Sequence, residues 1–352
     1  MEARLMALEE TAYVITGRRE LSRVPGTSPE QEVLPGHVLV GLRATGICGS
    51  DIDGYHLGIV LSPTLSGHEW VGVIERVASD VTGFTPGDRV VRAALPACGA
   101  CDLCRHGSYD LCARTSLSTS PTAPAHGAYA RYIQVPAAFV TALPDEVSDA
   151  AGALIEPATV AVHALRRVRP DLGDTVVVSG AGVVGLAAVQ LAARLGATDV
   201  IVVDPTPERR DIAVELGAAH AFAPDDPALR EAVLAASDGR GADIVYECAG
   251  KLAAIEQGTS LLRTGGRLML VGIPFTPVQL ALTGWLAKQI DVSTSLAHTR
   301  EEFLLTIRLM QRGWIRTAPI TFDTHPLSEI EQVFADLEKG APAIKTVFDT
   351  TR

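Results

Sequence analysis

The hydrophobic and polar residues follow two different patterns on the two sides of residue 157. Before it, short β-branched runs are separated by Gly and Pro, as in Thr85-Pro86-Gly87-Asp88. Such runs, bounded by turn residues, predict strands rather than helices. The predicted strands are 38–42, 70–77, 89–91 and 129–135. We therefore expect the first part of the chain to form a small, irregular, barrel-like β domain.

After residue 157, strand-like and helix-like segments alternate. The predicted strands are 175–179, 199–203, 243–246, 266–271 and 289–293. The predicted helices are 183–195, 208–216, 228–236, 252–262 and, later, 300–312. This alternation predicts an α/β fold with a doubly wound parallel sheet of about six strands.

Length and composition limit the possible functions. The 352 residues are enough for two domains. The net charge is −11 and the basic residues are scattered, which argues against nucleic-acid or membrane partners. No apolar run reaches the roughly 18 residues of a membrane span, and the N-terminal residues lack the apolar segment of a signal peptide. We therefore expect a cytoplasmic protein.

The first motif follows the first strand of the second part. It reads Gly180-Ala181-Gly182-Val183-Val184-Gly185 and leads into a helix. Gly180 permits the tight turn, Gly182 lets a pyrophosphate approach the backbone, and Gly185 lets the helix pack closely on the strand. The free N–H groups at the helix start attract phosphate. Asp204 follows the next strand and can accept hydrogen bonds from ribose hydroxyls, so the stretch predicts a dinucleotide site.

Four cysteines lie close together in the first part, at Cys98, Cys101, Cys104 and Cys112. At this spacing four thiolates can surround one Zn²⁺ and close its coordination shell, which predicts a structural zinc. One alternative is an iron–sulfur cluster, although such runs usually have a Pro after the last Cys. The other alternative is two disulfides, which the cytoplasm disfavours.

A second group of potential metal ligands is spread over three segments. They are Cys48-Gly49-Ser50-Asp51, Gly67-His68-Glu69 and Glu156-Pro157. With the cysteine cluster and the dinucleotide motif, they resemble the zinc-dependent medium-chain dehydrogenase/reductase superfamily of alcohol dehydrogenases almost end to end. The segment around Glu156 and the spacing from Asp204 to Arg209 are similar to its sorbitol, or polyol, dehydrogenase branch.

The resemblance implies an architecture. A Rossmann doubly wound parallel sheet, residues 157–295, is expected to be inserted in a GroES-like, mostly β catalytic domain. That domain would comprise residues 1–156 and 296–352, with the structural zinc at about 96–113. The resemblance also implies a homo-oligomer, a tetramer or a dimer, and the last strand is expected at a sheet edge that pairs with a second copy.

The resemblance further implies a catalytic zinc lined by Cys48, His68 and Glu69. Glu156 would occupy the fourth position, either as a direct ligand or through a water molecule. A thiolate, an imidazole and carboxylates suit Zn²⁺, and an exchangeable position is what catalysis requires. Ser50 would be the catalytic hydroxyl that accepts the substrate proton. Either Asp53 or His56 could pass the proton on.

The expected cofactor is NAD, because the charge of Asp204 opposes a 2′-phosphate. NADP stays possible, since Arg209 and Arg210 could tolerate that phosphate. The cofactor-binding residues, by motif or by resemblance, are Gly180, Gly182, Val183, Val184, Gly185, Asp204, Arg209, Val271, Gly272, Ile273, Ser295 and Leu296.

The implied function is zinc-dependent hydride transfer between NAD(P) and a small-molecule secondary alcohol, such as a polyol, sugar or cyclitol. One alternative is reduction of a ketone or aldehyde of a specialised metabolite by the same residues. The other is a non-catalytic dinucleotide-binding protein. Sorbitol dehydrogenases carry an Arg–Tyr pair for substrate after the last Rossmann strand, whereas this chain has Ala297-His298. The exact substrate therefore stays open.

Overall fold

The computed structural model describes residues 11–59, 62–93, 100–106, 108, 111–112, 126–337, 340 and 343–352. They form two compact units. The first contains the described residues up to Glu156, with Thr299–Ile307 and the described residues from Thr321 to Arg352. The second contains Pro157–His298 and Arg308–Ile320. Residues 296–298 and 308–320, which the resemblance assigns to the catalytic domain, belong to this second unit, and the predicted domain bounds stay a prediction.

The first unit is mostly β. Its strands are β1 (Thr11–Gly17), β2 (Glu20–Pro25), β3 (His37–Gly46), β4 (Glu69–Val77), β5 (Arg89–Arg92), β6 (Tyr132–Pro136), β7 (Val140–Ala142), β14 (Phe322–Pro326) and β15 (Lys345–Asp349). Its helices are α1 (Gly49–Leu57), α2 (Asp102–Arg105), α3 (Asp149–Gly152), the start of α4 (Ile155–Arg167), most of α10 (Arg300–Gln311) and α11 (Ile330–Leu337).

β3 is the central strand of this unit. It pairs antiparallel with β4, β6 and β15, in a seven-stranded sheet whose main order is β14-β15-β3-β4-β5-β7. Its residues Val38, Val40 and Leu42 are buried in one apolar cluster with Trp70 and Ile74 of β4. This shared core fixes the register of β3 and β4, because a one-residue slip would expose the apolar side chains.

The second unit alternates strands and helices. Its strands are β8 (Thr175–Ser179), β9 (Asp199–Val203), β10 (His220–Phe222), β11 (Ala242–Glu247), β12 (Leu262–Leu270) and β13 (Asp291–Thr294). Its complete helices are α5 (Val183–Leu195), α6 (Pro207–Glu215), α7 (Leu229–Ala236), α8 (Leu252–Leu261) and α9 (Leu282–Lys288). All six strands are parallel, in the order β10-β9-β8-β11-β12-β13.

This sheet confirms the predicted α/β class and the Rossmann arrangement. Strand order reverses between β8 and β11, so the connections after β8 and β11 leave the sheet in opposite directions and create a crevice at their carboxyl ends. The central strand β8 is fully buried, as its unbroken β-branched sequence predicts. Among the described residues, no helix is long and apolar enough to cross a membrane.

Candidate metal and cofactor sites

Three predicted zinc ligands come together in the first unit. One potential ligand atom from each of Cys48, His68 and Glu69 lies within 4.8 Å of the other two. His68 and Glu69 are buried and Cys48 is half-buried. Atoms at this separation can bind a single ion, since zinc takes sulfur at about 2.3 Å and nitrogen or oxygen at about 2.0–2.2 Å.

The pairing of β3 and β4 explains how residues distant in sequence meet. The last residue of β3, Gly46, lies opposite Glu69, the first residue of β4. Cys48 follows two residues later as the N-cap of α1. His68 directly precedes β4, and its Nδ1 lies 2.8 Å from the carbonyl oxygen of Leu65. If Nδ1 donates this hydrogen bond, Nε2 is the nitrogen left for a metal.

Glu69 has a buried cationic partner that the sequence analysis did not identify. Nζ of Lys345, the first residue of β15, contacts Oε2 of Glu69 and donates a hydrogen bond of 2.9 Å to the carbonyl oxygen of Ile47. Both side chains are at most 4% exposed. A Cβ on Gly46 would lie 2.5 Å from Lys345 and 2.6 Å from Glu69. A side chain at position 46 would therefore have to displace the groups that form this ion pair.

A second carboxylate, that of Asp51, stabilises the backbone next to the predicted ligands. Oδ2 of Asp51 accepts hydrogen bonds from the backbone N–H of Cys48 at 3.1 Å and from the Tyr129 hydroxyl at 2.8 Å. It also lies 4.0 Å from Nδ1 of His68. Asp51 and Tyr129 are both buried, and the Tyr129 ring packs against Phe334 and Phe348. This network fixes the backbone that carries Cys48.

The acidic groups of this cluster favour a positive charge near His68. Burial raises the pKa of Asp51 and of Glu69, because desolvation disfavours their charged forms. Burial also opposes charge on His68, but the Cys48 thiolate, Asp51 and Glu156 outweigh it and raise the His68 pKa well above its usual value. Neighbouring anions that stabilise a positive charge on His68 would equally stabilise a bound metal ion.

The other predicted catalytic residues, Glu156 and Ser50, belong to the same unit. Glu156, the last residue of the first unit, is 8% exposed. It interacts electrostatically with His68 and Glu69, but it is not part of the group of three ligand atoms. Ser50 belongs to the first turn of α1 and is half-buried. Asp53 and His56 follow it at intervals of three residues, so all three lie along one side of the helix.

Three of the four clustered cysteines are also brought together. Ligand atoms of Cys101, Cys104 and Cys112 lie within 4.8 Å of one another, and the Sγ atoms of Cys101 and Cys112 are 4.0 Å apart. Zinc with four thiolates at about 2.3 Å requires sulfur atoms about 3.8 Å apart. Cys104 and Cys112 are buried. Cys98, the fourth predicted ligand, lies outside the described residues.

The glycine-rich turn in the second unit adopts the geometry that each glycine was expected to provide. Gly180 has a φ of 97°, which favours glycine. A Cβ on Gly185 would lie 1.8 Å from the carbonyl oxygen of Gly180, so the helix approaches the turn too closely for any side chain. A Cβ on Gly182, in contrast, would meet no described atom within 4 Å. Space beside Gly182 is what an approaching pyrophosphate needs.

Asp204 follows β9 and lies against this turn. Its Oδ2 accepts a hydrogen bond of 2.7 Å from the backbone N–H of Ala181, and its Oδ1 accepts one of 2.8 Å from Thr206. Arg210 donates to the carbonyl oxygens of Asp204 and Pro205. The carboxylate is 4% exposed and held in one orientation, with further lone pairs for ribose hydroxyls.

The remaining predicted cofactor residues lie at or near the same carboxyl edge of the sheet. Val183 and Val184 open α5, and Arg209 lies half-buried in α6. Val271, Gly272 and Ile273 follow β12, and the N–H groups of Val271 and Gly272 both donate to the carbonyl oxygen of Glu247.

Ser295 and Leu296 follow β13 at this edge. Leu296 is 62% exposed, whereas the buried Ser295 hydroxyl has no hydrogen-bond partner among the described residues. A buried hydroxyl without a partner is costly, so it is a group from which a ligand can accept or donate a hydrogen bond. Ala297 follows with a φ of 58°, a left-handed conformation that is strained for a residue with a Cβ. Predicted cofactor residues that follow four strands, β8, β9, β12 and β13, thus lie at or near one edge of the sheet.

Comparison with known proteins is consistent with both units. Residues 34–145 match the family model "Alcohol dehydrogenase GroES-like domain", and residues 183–312 match "Zinc-binding dehydrogenase". The chain is 31% identical over 351 residues to a probable D-xylulose reductase A of Aspergillus terreus, covering 97% of this chain and 98% of the relative. It is 37% identical over 253 residues to a sorbitol dehydrogenase of Bacillus subtilis, covering 70% and 71% of the two chains.

A solved structure shows the same overall fold. A zinc-binding dehydrogenase of Sinorhizobium meliloti 1021, bound to NADP, superposes with a TM-score of 0.84. The alignment has 26% sequence identity and covers 96% of this chain and 98% of the other. The Aspergillus relative and the solved structure therefore each match nearly the whole chain.

Proposed function

Because the chain belongs to the zinc-dependent alcohol dehydrogenase family, we propose that it transfers a hydride between a secondary hydroxyl group of a polyol or sugar and NAD. The observation that carries this proposal is the convergence of Cys48, His68 and Glu69 within 4.8 Å. The relatives are named a probable D-xylulose reductase and a sorbitol dehydrogenase, and a sugar or polyol is therefore the proposed substrate class. The Ala297-His298 pair departs from the sorbitol enzymes and leaves the particular polyol undefined.

The donor set fits a catalytic zinc. One thiolate, one imidazole and one carboxylate are typical zinc ligands, and three protein ligands leave a fourth position for an exchangeable group. When bound, zinc would act as a Lewis acid that makes the hydroxyl proton of an alcohol easier to remove. Glu156 would stand near the fourth position. It would bind there either directly or through a water molecule.

Ser50 is the proposed first acceptor of the substrate proton. It lies two residues after Cys48, in the first turn of α1, and is half-buried. Asp53 and His56 lie further along the same side of the helix. A proton leaving Ser50 would therefore move along α1 toward its C-terminal end. A hydroxyl can serve in this role because it donates and accepts at once.

NAD is the proposed cofactor, although the solved relative binds NADP. Asp204 is buried and its carboxylate lies against the glycine-rich turn. A 2′-phosphate would have to approach this negative charge. Arg210 is held on backbone carbonyl oxygens, so it offers the phosphate less compensation than a free side chain. Asp204 would instead accept hydrogen bonds from the two ribose hydroxyls.

The cysteine lobe is proposed to hold a second, structural zinc through Cys101, Cys104, Cys112 and Cys98. Four thiolates would complete the shell and leave no position for substrate. Thiolate ligands persist in a reducing compartment, which supports the cytoplasm as the location.

An assembly of identical subunits is also proposed. β13 lies at the end of the six-stranded sheet, and Val292 is 43% exposed on it. The preceding helix α9 exposes Leu282 and Leu286. An apolar sheet edge of this kind is suited to pairing across a two-fold axis, which gives a dimer and, by doubling, a tetramer.

A second candidate function is reduction of a ketone or aldehyde. The same residues would catalyse it, because a catalyst accelerates both directions. The relative named a probable D-xylulose reductase supports the reductive direction. A non-catalytic dinucleotide-binding protein is disfavoured, since a protein that no longer used a catalytic metal would not need to hold three ligand groups together.

The proposal is tested by following NAD reduction against polyols, sugar alcohols, cyclitols and simple secondary alcohols, with NADP in parallel. We expect NADH formation with at least one vicinal polyol and a smaller kcat/KM with NADP. Activity confined to simple alcohols would keep the dehydrogenase and refute the polyol assignment. The absence of turnover in either direction, with zinc and NAD bound, would refute the enzymatic function.

A further inference from the structure

A buried carboxylate at the carboxyl edge of the parallel sheet has no role in the motifs described so far. Glu247 is the last residue of β11, and its side chain is completely buried. β11 lies between β12 and β8, the strand that leads into the glycine-rich turn. Dinucleotides bind where the strand order reverses, outside the carboxyl ends of the strands, and the order reverses between β8 and β11. Glu247 therefore lies at the part of the sheet where the cofactor is expected.

Glu247 joins the two segments that follow β11 and β12 at this edge. Oε1 of its side chain accepts hydrogen bonds of 2.9 Å from the N–H groups of Ala249 and Gly250. Its backbone carbonyl oxygen accepts hydrogen bonds of 2.8 Å from the N–H groups of Val271 and Gly272. A Cβ on Gly272 would lie 2.1 Å from the backbone nitrogen of Gly250, so the two segments pack backbone against backbone. Because Val271 and Gly272 are predicted cofactor residues, Glu247 fixes part of the predicted cofactor site.

The second carboxylate oxygen of Glu247, Oε2, is buried and has no hydrogen-bond partner among the described residues. The contacts fit the ionised form, because Oε1 accepts two hydrogen bonds and a proton on Oε2 would be a buried donor without an acceptor. Burial raises the pKa of Glu247, whereas the N–H groups of residues 249–251 and the charge of Lys251 oppose this rise. Lys251 is exposed, so it compensates the buried charge only in part. The carboxylate is therefore suited to a further cationic partner.

The order of the strands indicates which half of the cofactor would lie near this charge. Asp204, the proposed partner of a ribose, follows β9, and the pyrophosphate is expected at Gly182, after β8. A dinucleotide that continues in this direction along the sheet reaches β11 and β12 with its nicotinamide half. The oxidised nicotinamide ring carries a positive charge, and accepting a hydride removes it. Only the oxidised form therefore brings a cation to the side of the sheet where Glu247 lies.

We propose that Glu247 is a specificity-determining residue that makes the cofactor site favour oxidised NAD over NADH. The inference rests on the proposed function, in which this edge of the sheet binds NAD. The hydrogen bonds of Oε1 hold the segment after β11 for both forms of the cofactor, whereas the negative charge distinguishes between them. Such a site takes up the oxidised cofactor and releases the reduced one more readily, which suits the oxidation of an alcohol.

The direct test compares Glu247→Gln with wild type. The amide oxygen of glutamine can still accept hydrogen bonds from Ala249 and Gly250, so the substitution removes the charge and keeps the shape. Isothermal titration without substrate gives the dissociation constants for NAD and for NADH separately, and the Tm reports folding. We expect the affinity for NAD to fall at least fivefold and the affinity for NADH to change less than twofold. A residue that only held the backbone would lose both affinities to the same extent.

Two further variants separate the charge from the hydrogen bonds. Glu247→Asp keeps the charge, but its side chain is one methylene group shorter and should hold the N–H groups of Ala249 and Gly250 less well. Both affinities should therefore fall together, and their ratio should stay within twofold of wild type. Glu256→Gln is the matched control, because Glu256 is an exposed carboxylate on the next helix, α8. It should leave both affinities unchanged.

Several results would overturn the inference. An equal loss of affinity for NAD and NADH in Glu247→Gln, or no loss of either, would show that the charge does not distinguish the two forms. A fivefold change in the ratio of the two affinities in Glu247→Asp would show the same, and this variant decides the matter if Glu247→Gln does not fold. Because binding is measured without turnover, a wild-type protein that binds both nucleotides but oxidises no alcohol would refute the proposed function and leave this test standing.

Discussion

Replacing each of two glycines in the dinucleotide motif by alanine should separate cofactor binding from folding. Gly182→Ala places a methyl group where no described atom lies within 4 Å. The φ of Gly182 is −75°, which alanine adopts without strain. We therefore expect a stability equal to wild type or higher by up to about 1 kcal/mol, because alanine restricts the unfolded chain. NAD, however, would meet this methyl group where its pyrophosphate should approach the backbone.

Gly185→Ala should instead destabilise the second unit. Its Cβ would lie 1.8 Å from the carbonyl oxygen of Gly180, against an ordinary contact of at least 3.4 Å. The obstructing atom belongs to the backbone, so no rotamer change relieves the overlap. Overpacking of a core costs about 1–3 kcal/mol, and we expect the upper end, about 3 kcal/mol. For a unit of this size that corresponds to a decrease in Tm of roughly 6–12 °C.

Calorimetry can measure both effects on the same samples. Thermal unfolding gives the stability of each variant without cofactor, and isothermal titration gives the affinity for NAD. We expect Gly182→Ala to lose at least tenfold in affinity, about 1.4 kcal/mol, with a Tm equal to or higher than that of wild type. Gly185→Ala should lose both. If Gly182→Ala binds NAD within threefold of wild type, the pyrophosphate does not lie against Gly182 and the assigned cofactor position is wrong.

Three further predictions follow from other parts of the first unit. Tyr129→Phe removes the hydroxyl that donates to Asp51 and should lower the free energy of unfolding in urea by about 1.5–3 kcal/mol; a loss below 0.5 kcal/mol would contradict the network. A hydrogen bond with Asp323 raises the pKa of His325 in the folded protein. Protonated His325 should therefore add roughly 0.5 kcal/mol to the free energy of unfolding, measured against His325→Asn, and this gain should be complete below about pH 6.5 and vanish as the pH rises. A pH-independent difference between the two proteins would refute it. Cys104→Ser should lose one zinc per chain and lower the Tm without changing the affinity for NAD; an unchanged zinc content would refute the structural site.

The regular parts of the fold were predictable from local sequence. β8, α5 and β9 have the bounds that their apolar runs indicate, because buried strands and packed helices require unbroken apolar residues. β10 was missed, since it is only three residues long, His220–Phe222, and none of them is fully buried. α9 was missed because it contains Gly284 and exposes Leu286 rather than burying an apolar stripe.

The hairpin of β1 and β2 was also missed. Its turn contains Arg19 at a φ of 56°, where glycine or asparagine would have signalled a turn. The sequence therefore lacks the turn residue on which hairpin prediction depends. A tertiary contact with α1 supports the conformation of Arg19 instead, since its N–H donates to the carbonyl oxygen of Tyr55.

The candidate ligands were recognisable as motifs, but their supporting residues were not. Lys345 lies 276 residues from Glu69, and Tyr129 lies 78 residues from Asp51. Nothing in the local sequence marks a lysine at the start of a strand, or a tyrosine before one, as the partner of a distant carboxylate. Arg92, whose Nη1 donates a hydrogen bond of 2.9 Å to the carbonyl oxygen of His68, follows the predicted strand 89–91, and no motif marks it as part of the site. Only the folded arrangement of β4, β5 and β15 reveals that these groups share one cluster.

Metal removal and restoration on one preparation of enzyme would show whether turnover depends on zinc at the predicted catalytic site. Zinc would be removed from the Cys48, His68 and Glu69 site by a chelator, with the cysteine-lobe zinc and the Tm monitored throughout. NAD affinity would be measured at each step together with the rate of NADH formation from a polyol. We expect turnover to disappear with the labile zinc and to return when one equivalent of zinc is added, while the affinity for NAD stays constant. Undiminished turnover after complete loss of the labile zinc would contradict it.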